Sequence, residues 1–380
     1  MATYLVFDSS QRSPELLHEI GGESAPDPIA FIEHDGTRIV VGSPNEQSVF
    51  ERREDVVDEF WSERDFGYAD LTRDKSLSVD EVGGEVIHRA LQKVGTAKVN
   101  VPPSFRVGVA DYLREAGLAV IVDPAEWTMR RRRKTPWELE GIERAQRAAE
   151  TAMLTAARML RESEPTDDGQ LRLDGEILTA EWIREAMSVE LLTQGAQSQD
   201  MLIHSGDAAL QGHEKGSGPI LVDRPCVIDC YPSELKSGAY SDMTRTFVPG
   251  IPGREVERLH SHCRAALDVA LEACKPGRND AYMKVTEYFR SQGFPVREDA
   301  PGGSLKEGFT HGLGHGVGLQ VHEAPDLGFR SDELIEGDVI AIEPGLYFEG
   351  IGGVRLEDTV LITADGHEHF TDPYPYDLTP

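Results

Sequence analysis

Two apolar runs near the start of the chain, Pro28-Ile29-Ala30-Phe31-Ile32 and Thr37-Arg38-Ile39-Val40-Val41, flank Asp35-Gly36. That dipeptide tolerates the positive φ of a two-residue turn, so the runs predict a hairpin. The pattern over 104–116 predicts a helix, and Leu118-Ala119-Val120-Ile121-Val122 a strand after it. Residues 1–130 therefore read as a small α/β domain. A boundary falls near Pro124 to Lys134, because Thr135-Pro136-Trp137-Glu138 is a capping box with proline at the first helical position. From there Leu139, Ile142, Ala145, Ala149 and Met153 recur at helical spacing, which predicts a long helix opening a second domain over 135–380. Further helices are predicted near 178–194 and 254–274, the latter stopped by Pro276-Gly277.

Two apolar strand-like runs in the second domain end in acid. Pro225-Cys226-Val227-Ile228 leads to Asp229, and Val339-Ile340-Ala341-Ile342 leads to Glu343. A lone buried carboxylate is costly unless something pairs with it. With Glu357 in RLED on a third strand, a shared partner is the better reading. Helices precede each of the two strands, so the domain reads as two related α/β halves around one site.

Composition narrows the setting. The chain of 380 residues has 67 acidic against 38 basic side chains and a net charge of −29. An acid excess spread along the chain resembles that of proteins from a high-salt, haloarchaeal-type cytoplasm, and its field repels nucleic acid and anionic membranes. Hydrophobic residues at 39% argue for packed cores rather than disorder. No apolar h-region or membrane-length run is visible, so a cytoplasmic protein is expected. Cys226, Cys230, Cys263 and Cys274 lack CxxC spacing and read as reduced thiols, with Cys230, next to Asp229, the one open to oxidation. Arg130-Arg131-Arg132-Arg133-Lys134 is short and isolated in an acidic chain, and reads as a contact between domains or protomers rather than a nucleic-acid patch.

The candidate chemistry lies in four motifs: VIDCYPSELKSGAYSDMTRTF around Asp229 and Asp242, FTHGLGHGVGLQVHEAP around His315, IAIEPGLYFEG around Glu343, and GGVRLEDTVLI around Glu357. Four carboxylates and one imidazole form an oxygen-rich donor set that suits divalent manganese, cobalt or iron better than a thiolate zinc site. Two neighbouring ions need bridging carboxylates, and Asp242 and Glu357 are the candidates. His311, His315 and His322 share a stretch whose glycines let the backbone approach closely. A dinucleotide fingerprint starting at Gly312 fails at Val317. A zincin helix starting at His322 fails at Asp326 and Pro325. Gly216-Ser217-Gly218 lacks the spacing of a nucleophile elbow.

In order and content, SDMTRTF, GHGVGL, HEAP, IEPGLY and RLED resemble the methionine aminopeptidase, aminopeptidase P and prolidase family, strongly over 135–380 and weakly before. The resemblance implies an α/β (α+β) chain, a creatinase-like N-terminal domain followed by a pita-bread catalytic domain. It implies a metallopeptidase that removes an N-terminal residue preceding proline, as an Xaa-Pro aminopeptidase or dipeptidase acting on small peptides. Its two divalent ions, Mn2+ or Co2+ ahead of Fe2+ or Zn2+, would be held by Asp229, Asp242, His315, Glu343 and Glu357. Glu343 would also move the proton, His322 would face the substrate carbonyl, His311 would support by hydrogen bonding, and Arg355 would order the substrate. His213, upstream of Asp229, would add a substrate contact, with His204 the second candidate. A homodimer is expected. The chain departs from the family in a longer Asp229–Asp242 spacing and in Cys230-Tyr231-Pro232, which puts the pocket rim in doubt. The rival readings are a metal-free amidinohydrolase like creatinase, which lacks this ligand set, and an inactive binding module on the same fold.

Overall fold

The computed structural model describes residues 2–380 apart from 213, 279, 301, 303 and 304. The chain divides into two compact units, Met1–Arg131 and Arg132–Pro380. The first is built on a six-stranded sheet in the order Glu59–Ser62, Thr37–Gly42, Ile29–His34, Thr3–Asp8, Lys98–Val101, Ala119–Val122. The hairpin forms as predicted, with Asp35 and Gly36 both at positive φ. Period-two alternation sends Ile29 and Phe31 to one core and Ala30 and Ile32 to the other, so both faces of the sheet are covered. The helices Val79–Val94 and Val107–Glu115 lie on the second of these faces.

The long helix of the second unit, Pro136–Glu162, starts at the predicted capping box: Thr135 Oγ1 accepts from the Glu138 amide at 3.4 Å, and Glu138 Oε2 accepts from the Thr135 amide at 2.7 Å. It packs with Ala180–Thr193 against a sheet of Leu202–Ser205, Cys226–Cys230 and Met243–Phe247. Arg254–Ala273 and Ala281–Ser291 pack on a second antiparallel sheet ordered Glu323–Asp326, Gly314–Gly316, Val339–Ile342, Asp358–Ile362, His367–His369. Each half is thus two helices on a sheet. The halves meet where Met243–Phe247 runs beside residues 355–359: the Glu357 amide donates to the Thr244 carbonyl at 3.1 Å, and the Arg355 amide to Thr246 Oγ1 at 3.0 Å.

Two sequence expectations need correction. The RLED run does not lie on one strand: Arg355 ends Gly352–Arg355, Asp358 begins Asp358–Ile362, and Leu356 and Glu357 lie in the break between them. Cys230 is fully buried, and burial together with the Asp229 and Asp242 charges pushes its thiol well up, so it is inert rather than open to oxidation. Within the basic run, Arg130 pairs with Glu19 at 2.8 Å and Glu33 at 2.9 Å, Arg132 with Asp338 at 2.6 Å, and Lys134 with Glu323, each inside its own unit. Among the described residues no helix is long and apolar enough to cross a membrane.

Candidate metal centre

The seam between the two sheets opens into a cavity of about 410 Å³, lined by Asp229, Asp242, His315, Glu343, Glu357, His311, His322 and Arg355. Backbone pairing puts the acids there. Asp229 lies within its strand, opposite Leu202 and Thr244. Asp242 directly precedes Met243–Phe247 and is anchored through its amide to Thr359 Oγ1 at 3.2 Å. Glu343 follows Val339–Ile342, its amide tied to the Leu313 carbonyl at 2.8 Å. His315 stands in a strand squeezed between two others, and the squeeze explains its glycine neighbours. A Cβ at Gly314 would lie 1.9 Å from the Ala341 oxygen, and one at Gly316 2.2 Å from the Ala324 oxygen.

Asp242, His315 and Glu357 each offer one atom to a group lying within 4.8 Å of one another. His315 Nδ1 lies 3.1 Å from the Gly316 carbonyl and Nε2 3.7 Å from Asp242 Oδ2; the tautomer with its proton on Nδ1 leaves the Nε2 lone pair for a metal. Burial lowers the His315 pKa, which favours the neutral ring a ligand requires. Asp229 enters differently: its Oδ2 pairs with Arg355, while its Oδ1 is buried with no hydrogen-bond partner. Arg355 also donates to Tyr347 Oη and Thr244 Oγ1, both at 3.2 Å. His311 Nδ1 donates to the Gly312 carbonyl at 2.7 Å, and its Nε2 lies 3.0 Å from Tyr347 Oη.

Electrostatics decide what this arrangement lacks. Burial pushes the Asp242 and Glu357 carboxyls well above the usual range, and the neighbouring carboxylates push them further. Four acids face the Arg355 guanidinium, with Lys306 the other basic residue on the cavity wall. An orphaned carboxylate oxygen and four acids against Arg355 and Lys306 are what a cation-binding site shows before its cations are counted. The donor set therefore fits divalent metal ions held by oxygens and one imidazole.

Of the other sequence candidates, His204 is buried, with its ring engaged by the Glu214 carbonyl, and it does not line the cavity. His213 lies outside the described residues. Sequence reasoning passed over Tyr347 and Thr244, although both stand in the quoted motifs IEPGLY and SDMTRTF. Nothing in a single sequence marks a tyrosine as the link between an arginine and a histidine.

The sequence profile of metallopeptidase family M24 matches residues 140–364, well over half of the chain, and the protein belongs to that family. It is 32% identical over 243 residues to the Xaa-Pro dipeptidase of Pyrococcus furiosus, a stretch covering 63% of this chain and 62% of that protein. It is 40% identical over 132 residues to the Xaa-Pro dipeptidase of Pyrococcus horikoshii, covering 34% of this chain and 35% of that one. In both cases the match spans less than two thirds of the relative's length. Among solved structures, the X-Pro aminopeptidase of Thermotoga maritima superposes with a TM-score of 0.77 at 21% identity over 99% of this chain and 97% of that one. The prolidase of Pyrococcus furiosus gives 0.73 at 23% identity over 98% and 97%. These likenesses establish the pita-bread fold.

Proposed function

We propose that this M24 metallopeptidase hydrolyses the bond between an N-terminal residue and proline in small peptides, using two divalent ions, Mn2+ or Co2+ by preference. The observation that carries the reading is the convergence of Asp229, Asp242, His315, Glu343 and Glu357 on one cavity with an unsatisfied carboxylate oxygen on Asp229. The Xaa-Pro names of the Pyrococcus relatives support the substrate class. Asp229, Asp242, His315, Glu343 and Glu357 would hold the ions. When bound, such a pair acidifies water toward neutrality and offers positive charge to a carbonyl oxygen.

The remaining work falls to the chain's own groups. Glu343 takes the proton from the attacking water and returns it to the departing proline nitrogen, which must leave as an amine. His322, on the cavity wall beside His315, donates to the scissile carbonyl as its oxygen gains charge. Arg355 holds Asp229 and, through Tyr347, aligns His311. Proline offers no amide N–H, so selection rests on ring shape and carbonyl polarisation. The test is a matched panel of Xaa-Pro and Xaa-Ala dipeptides and tripeptides assayed with manganese or cobalt. Xaa-Pro is expected to be cleaved at least about tenfold better in kcat/KM, a difference of about 1.4 kcal/mol. Equal rates would remove the proline assignment and leave the metallohydrolase reading standing.

A further inference from the structure

Lys134 closes the basic run, yet its side chain is only 1% exposed and pairs with Glu323, itself 5% exposed, 189 residues away. Glu323 Oε2 also accepts from the Gln320 amide at 3.2 Å. The turn over 318–323 is wrapped around this pair so closely that a Cβ at Gly318 would lie 2.5 Å from Glu323 Oε1 and 2.6 Å from Lys134 Nζ. The turn is closed by the Gly318 amide on the Gln320 carbonyl at 3.1 Å, and tied to the first half by the Tyr240 amide on the Gly318 carbonyl at 2.7 Å. Its outward member is His322, an exposed residue on the cavity wall whose ring stands 4.3 Å from that of His315 at 76°. His322 belongs to no strand, so the geometry of the turn sets where its ring is aimed.

We propose that Lys134 is a positioning residue for His322, holding the turn through Glu323 so that the imidazole meets the substrate carbonyl. This rests on the role given to His322 above. A buried ion pair is a poor source of net stability, since apolar side chains of similar size commonly replace one without loss. Its use here is to fix one conformation of a loop. Misplacing a catalytic group by about 1 Å can cost about 100-fold in rate, so a relaxed turn should show in turnover before it shows in folding.

Two variants disturb the pair in opposite ways. Lys134→Met with Glu323→Leu removes both charges of the pair together; Gly318→Ala keeps both charges and crowds them. Each is expected to keep the parent's metal content and melting temperature while kcat at saturating metal falls at least about tenfold and KM changes less than about threefold. In a His322→Ala background neither should lower kcat further, because the two changes act through one group. Parent-like kcat in both variants, where His322→Ala alone is impaired, would overturn the positioning role and leave the role of His322 intact. Undiminished activity of His322→Ala would overturn both. A kcat loss that adds in full to that of His322→Ala would show the pair acting elsewhere and overturn the proposal.

Discussion

Thr244 offers a clean perturbation of the metal centre because it touches two of its groups without lining the cavity itself. It is fully buried and lies opposite Asp229 in the strand register. Its hydroxyl donates to Glu357 Oε2 at 2.7 Å and accepts from Arg355 Nε at 3.2 Å. Thr244→Val keeps the shape and deletes both bonds. A hydrogen bond to a charged group contributes about 1.5–3 kcal/mol. Groups that orient a metal ligand are typically worth about 10–100-fold in metal affinity, or about 1.4–2.8 kcal/mol, which is the same size. The valine variant is therefore expected to bind Mn2+ about 10–100-fold more weakly in a chelator-competition titration, with kcat at saturating metal within about threefold of the parent. Unchanged affinity would mean that the Thr244 hydroxyl does not orient Glu357. A kcat deficit that persists at saturating metal would mean that it acts on the reacting groups instead.

Asp229 and Glu343 were legible because each ends an apolar run, where a charge has few innocent explanations, Asp242, His315 and Glu357 only through their motifs, and the cavity gathers all five. Helix starts were legible where a side chain caps locally, as at Thr135 and Glu138. The same signal, Ser78 with Glu81, opens Val79–Val94 and went unread, obscured by Gly83 and Gly84. Those glycines weaken the helical pattern in sequence, but in the fold they admit the Phe7 and Tyr112 rings, whose atoms would lie 2.8 Å and 2.7 Å from an added Cβ. Partners remote in sequence were out of reach in principle. Nothing near Arg132 names Asp338, nothing near Lys134 names Glu323, and the link from Arg355 through Tyr347 to His311 exists only once the strands Gly345–Phe348 and Gly352–Arg355 are paired.

Three further outcomes are expected. Chelation should abolish activity and added Mn2+ or Co2+ should restore it; full activity in a sample shown by elemental analysis to hold no metal would refute the mechanism. Glu343→Gln, loaded with metal, should lose at least about 100-fold in turnover, the scale of general acid–base catalysis, and a near-normal rate would place the base elsewhere. The last concerns the net charge of −29. Several of its acids are paired, such as Asp58 with Arg38 at 2.9 Å, but 67 acids cannot all find partners among 38 basic residues, so the surplus must repel across the surface. Salt screens exposed charges over about 10 Å at 0.1 M and about 3 Å at 1 M, whereas the buried acids of the metal centre are screened far less. Raising salt from dilute buffer to molar concentration should therefore raise the melting temperature of metal-loaded and metal-free protein alike. A melting temperature that stays flat in both forms would show that surface repulsion is not what limits the fold, and the halophilic reading would fall with it.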